Sequence, residues 1–114
     1  MSRPSSHYFP FGPVRGVRLI SLHAQHRFAE RYGKGASVGS QMQRMEALIE
    51  NGKEVFLKPE KRLNKLLNHG VQDARYFLKG SLQQGMIFVV VNGVLITVHD
   101  ANADEFILAV AKPV

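Results

Sequence analysis

The chain has no cysteine and no tryptophan. Without thiols there is no disulfide framework and no thiolate metal site, a pattern that fits the reducing cytoplasm. No apolar run approaches the roughly eighteen residues of a membrane-spanning helix, so no membrane contact is expected. The opening Met1-Ser2-Arg3-Pro4 lacks the apolar stretch of a secretion signal. Acidic residues are scarce: 9 Asp and Glu face 15 Lys and Arg, a net charge of +6 on 114 residues. That imbalance favours an anionic partner, nucleic acid first. Several catalytic signatures are missing as well. His7, His23, His26, His69 and His99 are scattered, and no His-Glu-x-x-His pattern joins any two of them. There is no Gly-x-Ser-x-Gly elbow and no evident carboxylate pair for sugar chemistry. Lys34-Gly35 lacks the Gly-Lys-Ser/Thr ending of a phosphate-binding loop. Neither a metal nor a cofactor is expected.

What is present centres on Ser21 to Gly33, which reads as one amphipathic helix. Ser21 suits the N-cap, where its hydroxyl accepts from a backbone N–H of the first turn. Gly33 suits the C-terminal stop. His23, Arg27 and Arg31 recur at i, i+4 and i+8 and stack on one side. Leu22, Ala24, Phe28 and Ala29 form the apolar side. One imidazole and two guanidiniums in a stripe suit a phosphate.

Residues 1–18 differ from the rest. Pro4, Pro10 and Pro13 interrupt any period, Tyr8, Phe9 and Phe11 are aromatic, and Arg3, Arg15 and Arg18 are basic. This stretch reads as an extended arm preceding a single domain over residues 19–114. A second helix is expected from Val38 to Glu50, with Val38, Met42, Met45 and Leu48/Ile49 on one face and Asn51-Gly52 as its stop. Glu54 to Leu57 is a short strand. Pro59 to Asn68 reads as a helical insertion, and Lys58, Lys61, Arg62 and Lys65 make it the most basic segment, either a solvated face or an RNA contact. The remainder is β. Ala74 to Lys79 is a strand, and Met86 to Val91 is apolar enough for a central strand covered on both faces. Asn92-Gly93 marks a tight hairpin, and Val94 to His99 returns antiparallel. Glu105 to Ala111 reads as a strand or a closing helix, with strand preferred. The order predicts an α+β domain in which two N-terminal helices pack on one face of an antiparallel sheet.

Metal-free cleavage of RNA fits these parts. A base takes the 2′-hydroxyl proton, an acid protonates the leaving 5′-oxygen, and cations stabilise the charge gathering on phosphorus. His23 suits proton transfer, and Arg27 and Arg31 suit the phosphate. Thr97 and His99 lie two apart on the last hairpin strand and would complete the set. Arg75 and Lys79 are further contacts from the neighbouring strand. The bland alternative makes His23 a structural residue at the helix N-terminus and pairs the arginines with Glu30, Glu46 or Asp104.

The motif His23-Ala24-x-x-Arg27-Phe28-x-x-Arg31-Tyr32-Gly33 is followed by Met45-x-x-Leu48-Ile49-x-x-Gly52 and Ala74-Arg75-Tyr76. Next comes Phe88-Val89-Val90-Val91-x-Gly93-x-Leu95-Ile96-Thr97-Val98. This pattern resembles a family of small bacterial and phage domains of unknown function, marked by a helical His-Ala-x-x-Arg-x-x-x-Arg-Gly and a hairpin ending in Val-Ile-Thr-Val. That family is grouped with RelE-like and colicin D-like ribonuclease toxins, the barnase–EndoU–colicin–RelE fold. The resemblance spans about residues 21 to 100. It implies a metal-independent ribonuclease with its site where the first helix meets the sheet, and it carries His23, Arg27, Arg31 and Thr97 over by position. Tyr32 departs from the pattern by separating Arg31 from Gly33. The segment from 58 to 73 is longer and more basic than the pattern, and the proline-rich stretch lies outside it.

Two functions are therefore expected. One is a metal-independent ribonuclease, a toxin or phage effector acting on RNA and paired with an antitoxin. The other is a non-catalytic phage or plasmid protein that binds and regulates a host enzyme, for which the aromatic arm and basic insertion speak.

Overall fold

The computed structural model describes residues 8–33, 37–58, 61, 74–104 and 106–107. Strands β1 (Tyr8–Val14) and β2 (Val17–Ser21) form an antiparallel hairpin. Its turn residues, Arg15 and Gly16, both have left-handed φ, at 49° and 86°. A two-residue turn of that kind matches the twist of the strands it joins. Helix α1 (Leu22–Phe28) follows without a break and continues as a π-helical turn over Ala29–Gly33. Helix α2 (Val38–Asn51) is capped by Ser37, whose side chain accepts from the Ser40 N–H. Strands β3 (Lys53–Leu57), β4 (Ala74–Lys79), β5 (Met86–Val91), β6 (Val94–Asp100) and β7 (Phe106–Ile107) complete the described chain.

All seven strands lie in one sheet, in the order β1-β2-β6-β5-β4-β3-β7. Every neighbouring pair is antiparallel except β2 and β6, which run parallel. The class is α+β, as the sequence predicts. The sheet is mixed rather than antiparallel, and a hairpin precedes the helices.

The expected arm is the main correction. Phe11, Val14 and Val17 are buried, and β2 runs straight across the expected boundary at residue 18. Pro10 and Pro13 obscure the strand pattern without preventing the strand. They sit in β1, at the edge of the sheet, where a missing N–H leaves no neighbour unpaired.

The sheet has a core on each face. On the first, Ala24 and Phe28 of α1 and Met45 and Ile49 of α2 pack against Ile20, Phe77, Phe88, Leu95 and Val98. On the second, Val55, Tyr76, Leu78, Ile87 and Val89 pack with Phe106. Strand β5 supplies both, which is why Met86 to Val90 are all buried. Fully burying a side chain of this size stabilises by about 1.5–3 kcal/mol, so the helices are held mainly by these contacts.

One irregularity decides where the site residues point. The β5–β6 register runs Phe88↔Val98, Val89↔Thr97, then Val90↔Leu95. Ile96 is the extra residue of a β-bulge. Side chains directly opposite one another share a face. Leu95 and Val98 therefore join the helix face. Thr97, opposite Val89, and His99, opposite Ile87, lie on the other.

Candidate nucleic-acid interface

Helix α1 is seated on β6 at two points. At its start, Ser21 Oγ accepts from the Ala24 N–H at 2.9 Å and donates to the Ile96 carbonyl at 2.9 Å. The expected N-cap is present, and the same hydroxyl ties the helix to the sheet. At the far end, Arg31 Nε donates to Asp100 Oδ1 at 3.1 Å. Because β2 and β6 are parallel, a helix leaving β2 travels along β6 toward its C-terminal end. Ala24 and Phe28 point down, with the Phe28 ring 6.3 Å from that of Phe88.

The opposite side of α1 carries His23 and Arg27, whereas Arg31, in the π-helical turn, is drawn to β6. His23 is exposed, and Arg27 Nη1 lies 3.4 Å from Glu30 Oε1. The Arg31 guanidinium holds the Asp100 carboxyl below its ordinary 3.8, mainly through their hydrogen bond and then through its charge. The Arg27–Glu30 pair is the more solvent-accessible of the two and costs little to exchange for another anion.

Lys79 belongs to the same end of the molecule. Met86 pairs with Asp100 on one side and with Lys79 on the other, so the three residues form one row across β6, β5 and β4. At the usual strand spacing this places the Asp100 and Lys79 backbones roughly 10 Å apart. The row brings Arg31, Asp100 and Lys79 to one edge of the helix-covered face.

Thr97 and His99 are not part of this assembly. The bulge at Ile96 turns both to the far side of the sheet, where the His99 ring lies 6.4 Å from the Phe106 ring. His99 Nδ1 is 2.8 Å from the Asp100 carbonyl. Their expected partnership with His23 fails because an extra residue inverts the alternation of β6 from that point on.

Arg75 is not at this end either. It lies four residues back along β4, about 13 Å from Lys79. Its Nε and Nη2 each donate to Glu54 at 3.2 Å, and its Nη1 donates to the Arg15 carbonyl at 2.8 Å. Its guanidinium carbon is 4.9 Å from the centre of the Phe77 ring. Sequence reasoning missed the companion of this residue, Arg15. That guanidinium also sits over Phe77, at 4.6 Å, and donates to the carbonyls of Ile49 and Gly52 at 3.2 and 2.7 Å. These carbonyls are at the C-terminal end of α2, where a cation is favoured. The Arg15-Gly16 dipeptide was a readable turn signal, but nothing local announces a link to α2.

Lys58 follows β3 and is partly exposed, and Lys61 is helical and partly exposed. Arg62, Lys65 and the body of the expected helical insertion lie outside the described residues. Among the described residues no three His, Asp or Glu side chains converge as a metal site would require. No helix among them is long and apolar enough to cross a membrane. No family model, curated protein or solved structure matches the chain.

Proposed function

We propose that this protein acts on RNA through the α1 stripe, as a metal-independent ribonuclease of the RelE-like and colicin D-like kind. The observation that carries the reading is the seating of α1. Its buried side is fastened to β6 at Ile96 through Ser21 and at Asp100 through Arg31, which leaves His23 and Arg27 on the outer side and the partly buried Arg31 at the sheet edge, near the row that holds Lys79. Arg27 and Arg31 take the scissile phosphate in exchange for Glu30 and Asp100. His23 accepts the 2′-hydroxyl proton, the 2′-oxygen attacks phosphorus, and the 5′-oxygen leaves. With His99 on the other face, the proton on His23 reaches the leaving oxygen from the same ring or through water. The products are a 2′,3′-cyclic phosphate and a 5′-hydroxyl. In a cell such an activity calls for an antitoxin that covers the stripe.

The test is incubation of the protein with total RNA and ribosomes in EDTA. Cleavage is expected to survive chelation and to fall by roughly 10²–10⁴-fold in His23→Ala, the usual worth of a general base. Arg27→Ala should also lose activity, whereas Thr97→Ala and His99→Ala should keep it. The distance between His23 and His99 across the sheet favours a second reading, a binder without catalysis. It predicts intact RNA that is nonetheless bound, with an affinity that falls steeply with salt. RNA neither cut nor bound sinks both.

A further inference from the structure

The other end of β6 carries a groove that the α1 stripe does not use. It is lined by Gly16, Arg18, Arg75, Val90, Asn92 and Gly93 and has a volume of about 410 Å³. The groove forms where the β1–β2 turn meets the β5–β6 turn, which the Arg18 N–H fastens by donating to the Gly93 carbonyl at 2.8 Å. Strand β6 spans seven residues, so about 20 Å separates this groove from the Arg31–Asp100 pair.

We propose that this groove binds one nucleotide unit, with its phosphate on Arg18 and its base edge on Asn92. Two guanidiniums line it and no carboxylate does. Arg75 is a fixed wall, held by Glu54 and the Arg15 carbonyl. Arg18 is the arm: it is exposed, and no hydrogen bond or ion pair among the described residues engages its side chain. Its fork matches phosphate oxygens. Asn92, exposed at the rim, offers a donor and an acceptor for a base edge. Guanidinium planes stack on heterocycles. The volume falls within the range of roughly 300–1,000 Å³ typical of small-ligand sites. Gly16 and Gly93 keep the mouth open: a Cβ at Gly16 would stand 3.3 Å from Arg75 Nη1, and one at Gly93 would stand 3.2 Å from the Gly16 carbonyl.

The choice of a nucleotide over another phosphate ester rests on the RNA reading above; the anion chemistry of the groove does not. Calorimetric titration of the full chain with adenosine 5′-monophosphate, adenosine and inorganic phosphate tests both. The monophosphate is expected to bind roughly tenfold or more tightly than either fragment, and Arg18→Gln to remove about that factor, the worth of a charged hydrogen bond. Asn92→Ala should weaken the monophosphate and not inorganic phosphate. The circular dichroism of both variants should match that of the parent chain. No binding of the monophosphate, equal binding of inorganic phosphate, or loss in Arg27→Ala instead of Arg18→Gln would each overturn the proposal. Binding at the groove by a protein that neither cuts nor retains RNA would leave the groove standing and remove the α1 reading.

Discussion

The two ends of the sheet use arginine in opposite ways. At the end of β6, Arg27 and Arg31 hold Glu30 and Asp100 on the surface, with 63% and 78% of the acidic side chains exposed. At the other end, Arg15 and Arg75 share the Phe77 ring and donate to backbone carbonyls and to Glu54, which is only 27% exposed. The first pair leaves its carboxylates in solvent. The second uses charge to fasten the β1–β2 turn, α2 and β4 together. The difference lies in what the guanidinium touches, not in the residue type.

The contrast can be broken at the stable end first. Phe77→Ala removes a fully buried ring and the platform for both cations, and should cost about 3–5 kcal/mol in chemical denaturation. Arg15→Ala should cost about 2 kcal/mol, since it leaves the Ile49 and Gly52 carbonyls without their charged donor. Arg31→Ala should lower the melting temperature far less than either of these while weakening RNA binding and reducing its salt slope by about 1. The smallest effect sharpens the comparison by pH. The Asp100 carboxyl is lowered in the folded chain, so its pairing favours the fold above the ordinary 3.8 and is lost as pH falls through the lowered value. Carboxyl NMR titration should find the Asp100 midpoint below the ordinary value in the parent chain and back near it in Arg31→Ala.

Much of the frame was readable in the sequence because it is local. Ser21 caps α1, the Asn92 and Gly93 turn has left-handed φ of 52° and 79°, and strands β4 and β5 have the expected bounds. Helical spacing placed His23 and Arg27 on one side of α1, but the π-helical turn from Ala29 breaks the expected single helix to Gly33 and takes Arg31 to Asp100. What escaped is non-local or hidden by a competing signal. The prolines of β1 masked a strand that the edge of the sheet tolerates. No residue in Leu95-Ile96-Thr97 advertises a bulge, yet it moves Thr97 and His99 away from His23. The roles of Arg15 and Arg75 depend on partners 34 and 37, and 21 and 60, residues away.

The parallel pairing of β2 with β6 also sets an order in time. Ser21 meets Ile96 across 75 positions of chain, a closure costing on the order of 4 kcal/mol before its contacts repay it. During synthesis at about 5–20 residues per second, α1 therefore waits several seconds for the strand that will receive it. Until then Phe28 has no Phe88 to pack on and Arg31 has no Asp100. The groups of the α1 stripe are made early, but the surface they form together is among the last things the chain completes.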